Sequence, residues 1–179
     1  MKRILSNILI IFGIFCYALV IYSVYERVNP KRVSFAYEKQ IESVSVKKES
    51  VFPVGLKIPS LKVDLPIIPS VIKNGQWEAT TTGVSYLSSS PIPGDTGNSI
   101  LYGHNWPNLL GPLIHARPKD LIEIIYSDNS RQVFEIEYTV IVSPEETHVL
   151  LPSKDKRITL YTCTGFMDSK RFVVVGILK

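Results

Sequence analysis

Between Ile4 and Tyr25 the chain runs for 22 residues without a charge, and nothing else in it restricts the possible folds as strongly. As a helix rising about 1.5 Å per residue, the run is about 33 Å long and matches a bilayer core of about 30 Å. Lys2 and Arg3 precede it, and Tyr17, Tyr22 and Tyr25 stand where an outer membrane interface would fall. A cleaved signal peptide would need a shorter apolar region and small residues at its end, but this run closes on Val20-Ile21-Tyr22-Ser23-Val24-Tyr25. A buried core helix would need a polar stripe, for which Ser6 and Asn7 are too little. The expectation is therefore a single-pass, uncleaved signal-anchor. Arg27, Lys31 and Arg32 lie beyond its far end and argue against an inside N-terminus. The short basic tail followed by a long soluble domain argues for it, giving a cytoplasmic tail and anchor over residues 1–25 and an extracytoplasmic remainder.

The net charge of +4 is unevenly placed. Residues 1–52 hold eight Lys/Arg and four Asp/Glu, whereas residues 53–179 hold twelve of each. A neutral globular part argues against nucleic-acid binding. The basic excess of the spacer (Lys31, Arg32, Lys39, Lys47, Lys48) suits anionic lipid or wall polymer, and equally a solvated linker. Of the two cysteines, Cys16 lies inside the apolar run and cannot meet Cys163 in a folded external domain. Cys163 is then a lone thiol in an exported domain, where an unpaired cysteine is often a reactive one.

Three zones follow: the anchor, a polar spacer over 26–50, and a compact domain over 51–179. In the spacer, Phe35–Ile41 is compatible with a short helix. The domain reads as all-β, because short runs of Val, Ile, Thr, Tyr and Phe alternate with turn residues. Strands are expected at Gly55–Ile58, Leu61–Ile68, Val84–Leu87, Ser99–Tyr102, Leu121–Ser127, Gln132–Val142, Arg157–Cys163 and Arg171–Ile177. Pro59 and Pro66 mark the first two as edge or bulged strands. Eight short strands, with a helical turn or two near Leu109–His115, point to a small closed or nearly closed barrel.

Three residues stand at strand ends. Cys163 closes Ile158-Thr159-Leu160-Tyr161-Thr162-Cys163 and precedes a loop, although alternation alone leaves its burial open. His104 follows Ile100-Leu101-Tyr102-Gly103, where Gly103 permits a turn or close packing and Trp106 can wall a cleft. Arg171 opens the last strand; alone it reads equally as a surface ion-pair partner. His115 and His148 read as packing or surface residues. Together, Cys163, His104 and Arg171 meet the needs of acyl transfer: a nucleophile, an acid/base and a fixed positive donor for an oxyanion. Metal ligation fails on count and spacing, with three His, one available Cys and no CxxC or HxxxH.

Thr159-Leu160-Tyr161-Thr162-Cys163 resembles the TLxTC signature of sortases, Gly97–His104 the family's GN-(apolar)-GH segment, and Arg171-Phe-Val-Val-Val the arginine opening its final strand. Pro53–Ile67 resembles the family's paired opening strands, so the likeness covers about Pro53 to Lys179. It implies an eight-stranded sortase-type β-barrel with short helices, preceded by one transmembrane helix. The implied activity is that of a cysteine transpeptidase/endopeptidase of the cell membrane. It would cleave a Leu-Pro-x-Thr-Gly-like sorting signal on surface proteins and pass them to an amine acceptor, from a wall precursor or another protein. Cys163, His104 and Arg171 would be catalytic, with Thr162 supporting the substrate cleft and no cofactor required. Glu145 and Glu146 could join a calcium site as in some relatives, but they read as a solvated turn instead. The spacer lacks an aromatic-proline lid and no second apolar span follows Leu178, which argues against the pilus-polymerising class. The rival readings are a membrane-tethered, non-catalytic peptide- or wall-binding β-domain and a hydrolytic cysteine peptidase.

Overall fold

The computed structural model describes residues 2–28, 33–36, 51–73 and 75–179. The basic side chains expected to meet lipid lie outside it, as do residues 37–41 of the possible spacer helix; Phe35 and Ala36 are not helical. Helix α1 covers Lys2–Val28. Its stretch Asn7–Tyr25 is long and apolar enough to cross a membrane, and none of it is buried against protein. Ile11, Phe12 and Ile14 are each more than 60% exposed, so this is not a core helix.

The domain is a closed β-barrel. In chain order its strands are β1 (Pro53–Ile58), β2 (Val63–Ser70), β5 (Val84–Leu87), β6 (Gly97–Gly103), β7 (Leu121–Tyr126), β8 (Arg131–Val142), β9 (Lys156–Thr164) and β10 (Lys170–Leu178). A two-stranded hairpin, β3 (Ile72–Lys73) and β4 (Gln76–Trp77), lies outside the ring. All eight expected strands are present, and the ring runs β1-β2-β5-β6-β9-β10-β8-β7. The pairs β2–β5 and β6–β9 are parallel and the rest antiparallel.

The prolines have a different reason from the one expected. Neither β1 nor β2 is an edge, since each has a partner on both sides. Pro59 has already left β1 for a short 3-10 turn, Pro59–Leu61. Pro66 is the last residue of β2 paired to β1, and Ile67 is the first paired to β5. A residue without an N–H fits where a strand hands over between partners. Gly83 makes that handover possible: a Cβ there would come within 2.3 Å of the Pro66 carbonyl oxygen.

Two apolar layers result. Inside the barrel pack Leu56, Ile58, Leu101, Ile122, Ile124, Phe134, Ile136, Ile158, Leu160 and Val174. Outside it, on the face of β6, β9 and β10, a second cluster joins Ile100, Tyr102, Tyr161, Cys163, Val173 and Val175. That face is covered by Trp77 of the hairpin, by Val149 and Leu150 of the 3-10 turn Thr147–Leu150, and by Val33 and Phe35. These three strands are thus buried on both sides, which explains apolar runs too continuous for simple alternation.

Candidate active site

Register brings the three strand-end residues together. Arg171 is the direct antiparallel partner of Cys163, a placement that puts Cβ atoms about 4.5–5.5 Å apart. In the parallel pair, Gly103 stands opposite Thr162. One residue further on, β6 has ended at Gly103 and the chain continues to His104, while β9 continues to Cys163. Thr162 lies one residue back on the barrel-side face with Ile158 and Leu160, and its hydroxyl donates to the Gly103 carbonyl at 2.9 Å. It ties β9 to β6 directly beneath His104.

The loop after β6 fixes the histidine. Its carbonyl accepts from Leu110 N–H at 3.1 Å, and the Trp106 carbonyl accepts from Leu109 and Gly111, both at 2.9 Å. Gly111 is needed for this, because a Cβ there would sit 2.6 Å from the Trp106 oxygen. The His104 ring stacks on Trp106, centroids 4.6 Å apart and planes at 12°. The Trp106 ring thus lies flat on one face of the imidazole, while Gly103 serves close packing, 3.1 Å from Leu110 Cδ1 for a Cβ in its place. Burial holds the His104 imidazole below its ordinary pKa of 6.5, and the Asp168 carboxylate works against that shift.

Cys163 is 3% exposed and Arg171 likewise 3%. The burial left open by alternation comes from the outer layer. Arg171 donates from Nη1 to the carbonyls of Asp168 and Lys170, each at 3.0 Å, and from Nη2 to the Ser34 carbonyl at 2.8 Å. Its Nε is buried without a hydrogen-bond partner among the described residues. Phe35 lies under the guanidinium, 5.9 Å from ring centroid to Cζ, and meets Tyr161 edge-on at 4.8 Å.

Residues 33–36 are strapped down at several more points. Tyr161 Oη donates to the Val33 carbonyl at 3.1 Å, Trp77 N–H to Ser34 Oγ at 3.2 Å, and Ala36 N–H to the Pro144 carbonyl at 2.9 Å. The sequence places this segment in a polar spacer, with Phe35 opening a possible helix, and does not reveal its docking on the barrel. Its one signal is the apolar-polar-apolar order Val33-Ser34-Phe35 in an otherwise polar spacer. Asn98 stands in the sequence as the asparagine of the Gly97–His104 motif. It is 3% exposed, donates to the Val149 and Leu151 carbonyls at 3.1 Å each and accepts from Thr159 at 2.7 Å, pinning the 147–150 turn over β9. His115 and His148 are exposed. Glu146 accepts from Ser143 N–H at 2.7 Å, and the Ser143 hydroxyl beside exposed Glu145 holds that carboxyl below its ordinary pKa. Both are turn residues here.

The sortase-domain family model matches residues 56–179. The chain belongs to the sortase family. Sortase A of Listeria monocytogenes is 30% identical over 129 residues, 70% of this chain and 55% of the relative, so the chain spans about half that protein's length. The crystal structure of Listeria monocytogenes sortase A superposes with a TM-score of 0.58 at 27% identity, covering 73% of this chain and 88% of that one. Sortase A from Corynebacterium diphtheriae gives 0.63 at 23% identity, with 91% and 81% covered. Sortase C1 from Streptococcus agalactiae gives 0.61 at 22%, with 70% and 66% covered. The sortase barrel seen here is thus common to relatives named A and C.

Proposed function

We infer that the protein is a membrane-anchored cysteine transpeptidase in which Cys163, His104 and Arg171 perform acyl transfer on a Leu-Pro-x-Thr-Gly-like sorting signal. The observation that carries this reading is Arg171: buried, directly across the strand pair from Cys163, and holding an Nε–H with no partner among the described residues. An unpaired N–H on a buried cation is costly, and it is rewarded when negative charge develops beside it. An oxyanion formed at a carbonyl under attack by Cys163 is such a charge.

In the first half-reaction the Cys163 thiolate attacks the Thr carbonyl carbon, and the C=O electrons move onto oxygen under Arg171. The tetrahedral species collapses, the C–N bond breaks, and the Gly amine leaves with a proton from the His104 imidazolium. A thioester and a neutral imidazole remain. An amine from a wall precursor or another protein then attacks the thioester, gives its proton to His104, and expels the thiolate. Thr162 supports the cleft by holding β6 and β9 in register. No step calls for a cofactor. In the arrangement described, the Ser34 carbonyl occupies Arg171 Nη2, so a peptide carbonyl reaches that donor by displacing the strap. Helix α1 would anchor the chain with its N-terminus inside, placing the barrel outside the membrane with surface proteins as acyl donors.

The test is the intermediate itself. Mass spectrometry of the protein mixed with a Leu-Pro-x-Thr-Gly peptide should show an adduct on Cys163 that hydroxylamine releases, and an added amine should appear in the product. Peptide that binds without ever acylating Cys163 would instead identify a binding domain, and an adduct that yields only the free acid would identify a hydrolase.

A further inference from the structure

The loop between β9 and β10 joins Cys163 to Arg171, and its geometry is unusual. Gly165 has a φ of 80°, which glycine takes freely, but Met167 (φ 50°) and Asp168 (φ 59°) are also left-handed. Two consecutive L-residues in that region persist where the surroundings over-determine them, and such strain gathers at working sites. Aspartate is among the few side chains that visit the region routinely. The conformation lets Asp168 engage the site from both ends. Its side chain accepts from Asn105 Nδ2 at 2.8 Å, and Asn105 is the residue after His104. Its carbonyl accepts from Arg171 Nη1 at 3.0 Å.

We propose that Asp168 is the positioning residue of the site, fixing the His104 loop through the Asn105 amide and the Arg171 guanidinium through its own carbonyl. This rests on the acyl-transfer reading above and adds to it a residue that sets the spacing of acid/base and oxyanion donor. A single residue bonded both to the loop after β6 and to the start of β10 couples them more tightly than two independent anchors. Acyl transfer is sensitive to such spacing, since a misplacement of about 1 Å costs about a hundredfold in rate. Among the described residues, the ionisable groups toward this end of the sheet include Tyr161 and Cys163 on β9, Lys170 and Arg171 on β10, Asp168 between the strands, and Glu145 in the turn before β9. Among them, Asp168 is the charge that bears appreciably on the imidazole, favouring its protonated form.

Two substitutions in the full-length protein separate these effects. Asp168→Asn keeps an acceptor for Asn105 and tolerates the left-handed backbone, but removes the charge. The NMR titration midpoint of His104 should fall while those of His115 and His148 stay fixed, and the His104 limb of the kcat/KM profile should move to lower pH with it. Asp168→Val removes the acceptor and disfavours the backbone conformation. It should lower kcat about ten- to a hundred-fold with KM within about twofold. Should it fail to fold, Asp168→Asn carries the test alone. Acylation of the wild type with an unchanged His104 midpoint and wild-type kcat in both variants would overturn the positioning role and leave the transpeptidase reading standing. A wild type that acylates with no peptide removes that reading, and the positioning role with it.

Discussion

At Arg171, chemistry and architecture make opposed demands. A guanidinium that is 3% exposed needs every donor satisfied, yet among the described residues Nε has no partner, while both terminal nitrogens bond to main-chain carbonyls. In the proposed mechanism the planar fork holds backbone and oxyanion together, which an ammonium cannot do. Arg171→Lys should therefore lower kcat/KM about ten- to a thousand-fold, measured with a fluorogenic sorting peptide, while Cys16→Ala leaves it unchanged. His104 offers a test that needs no substrate. Burial lowers its pKa in the folded state from the ordinary 6.5, so the unfolded chain takes up the proton first as pH falls. Stability from this group is full above about pH 6.5 and is lost as pH drops toward the lowered value. Urea midpoints at pH 7.5 and 5.5 should show the wild type losing more on acidification than His104→Gln. An equal loss in both would show that the residue is not held neutral by its surroundings.

The elements that matter most to the site are the least regular ones. Barrel strands supply Cys163, Arg171 and the approach to His104, but the outer cover comes from a two-residue-per-strand hairpin, a 3-10 turn and residues 33–36. For the strap, magnitudes decide what to expect. Burying Val33 and Phe35 stabilises by about 1.5–3 kcal/mol each, and ordering each of the four strap residues costs about 1–2 kcal/mol in backbone entropy. The docked and released states are therefore close in free energy, and loss of the phenyl group tips the balance. Phe35→Ala should release the strap instead of leaving a cavity beneath it. Cys163 labelling by a small thiol reagent should then quicken by about tenfold or more, with cooperative unfolding of the barrel little changed. A labelling rate equal to wild type would mean that the thiol is shielded by the hairpin and turn alone.

For the whole molecule, the expected division is between an apolar helix for the membrane and a barrel that folds without it. The full chain should stay with membranes through a carbonate wash, with the barrel protected from protease added on the cytoplasmic side. A chain starting at Phe52 should be soluble and unfold cooperatively. Recovery of a mature soluble form beginning near Glu26 would show a cleaved signal peptide instead. Much of the fold was legible in the chain. Charge-free length marked Ile4–Tyr25 as an apolar helix, and alternation and turn residues marked all eight barrel strands, because these signals are local. The proposal of Cys163, His104 and Arg171 took more: their strand-end positions together with the TLxTC, GN-(apolar)-GH and arginine motifs. What lay beyond reach was set by contacts between segments distant in sequence. The reason for Pro66 is a change of partner from β1 to β5; the burial of Cys163 comes from an outer layer that includes Phe35; and the place of Asp168 depends on a bond to Asn105, 63 residues away. Local sequence determined which segments are strands and which residues end them. Only the closed ring, by choosing each strand's neighbours and what covers their outer face, decided which of those residues meet.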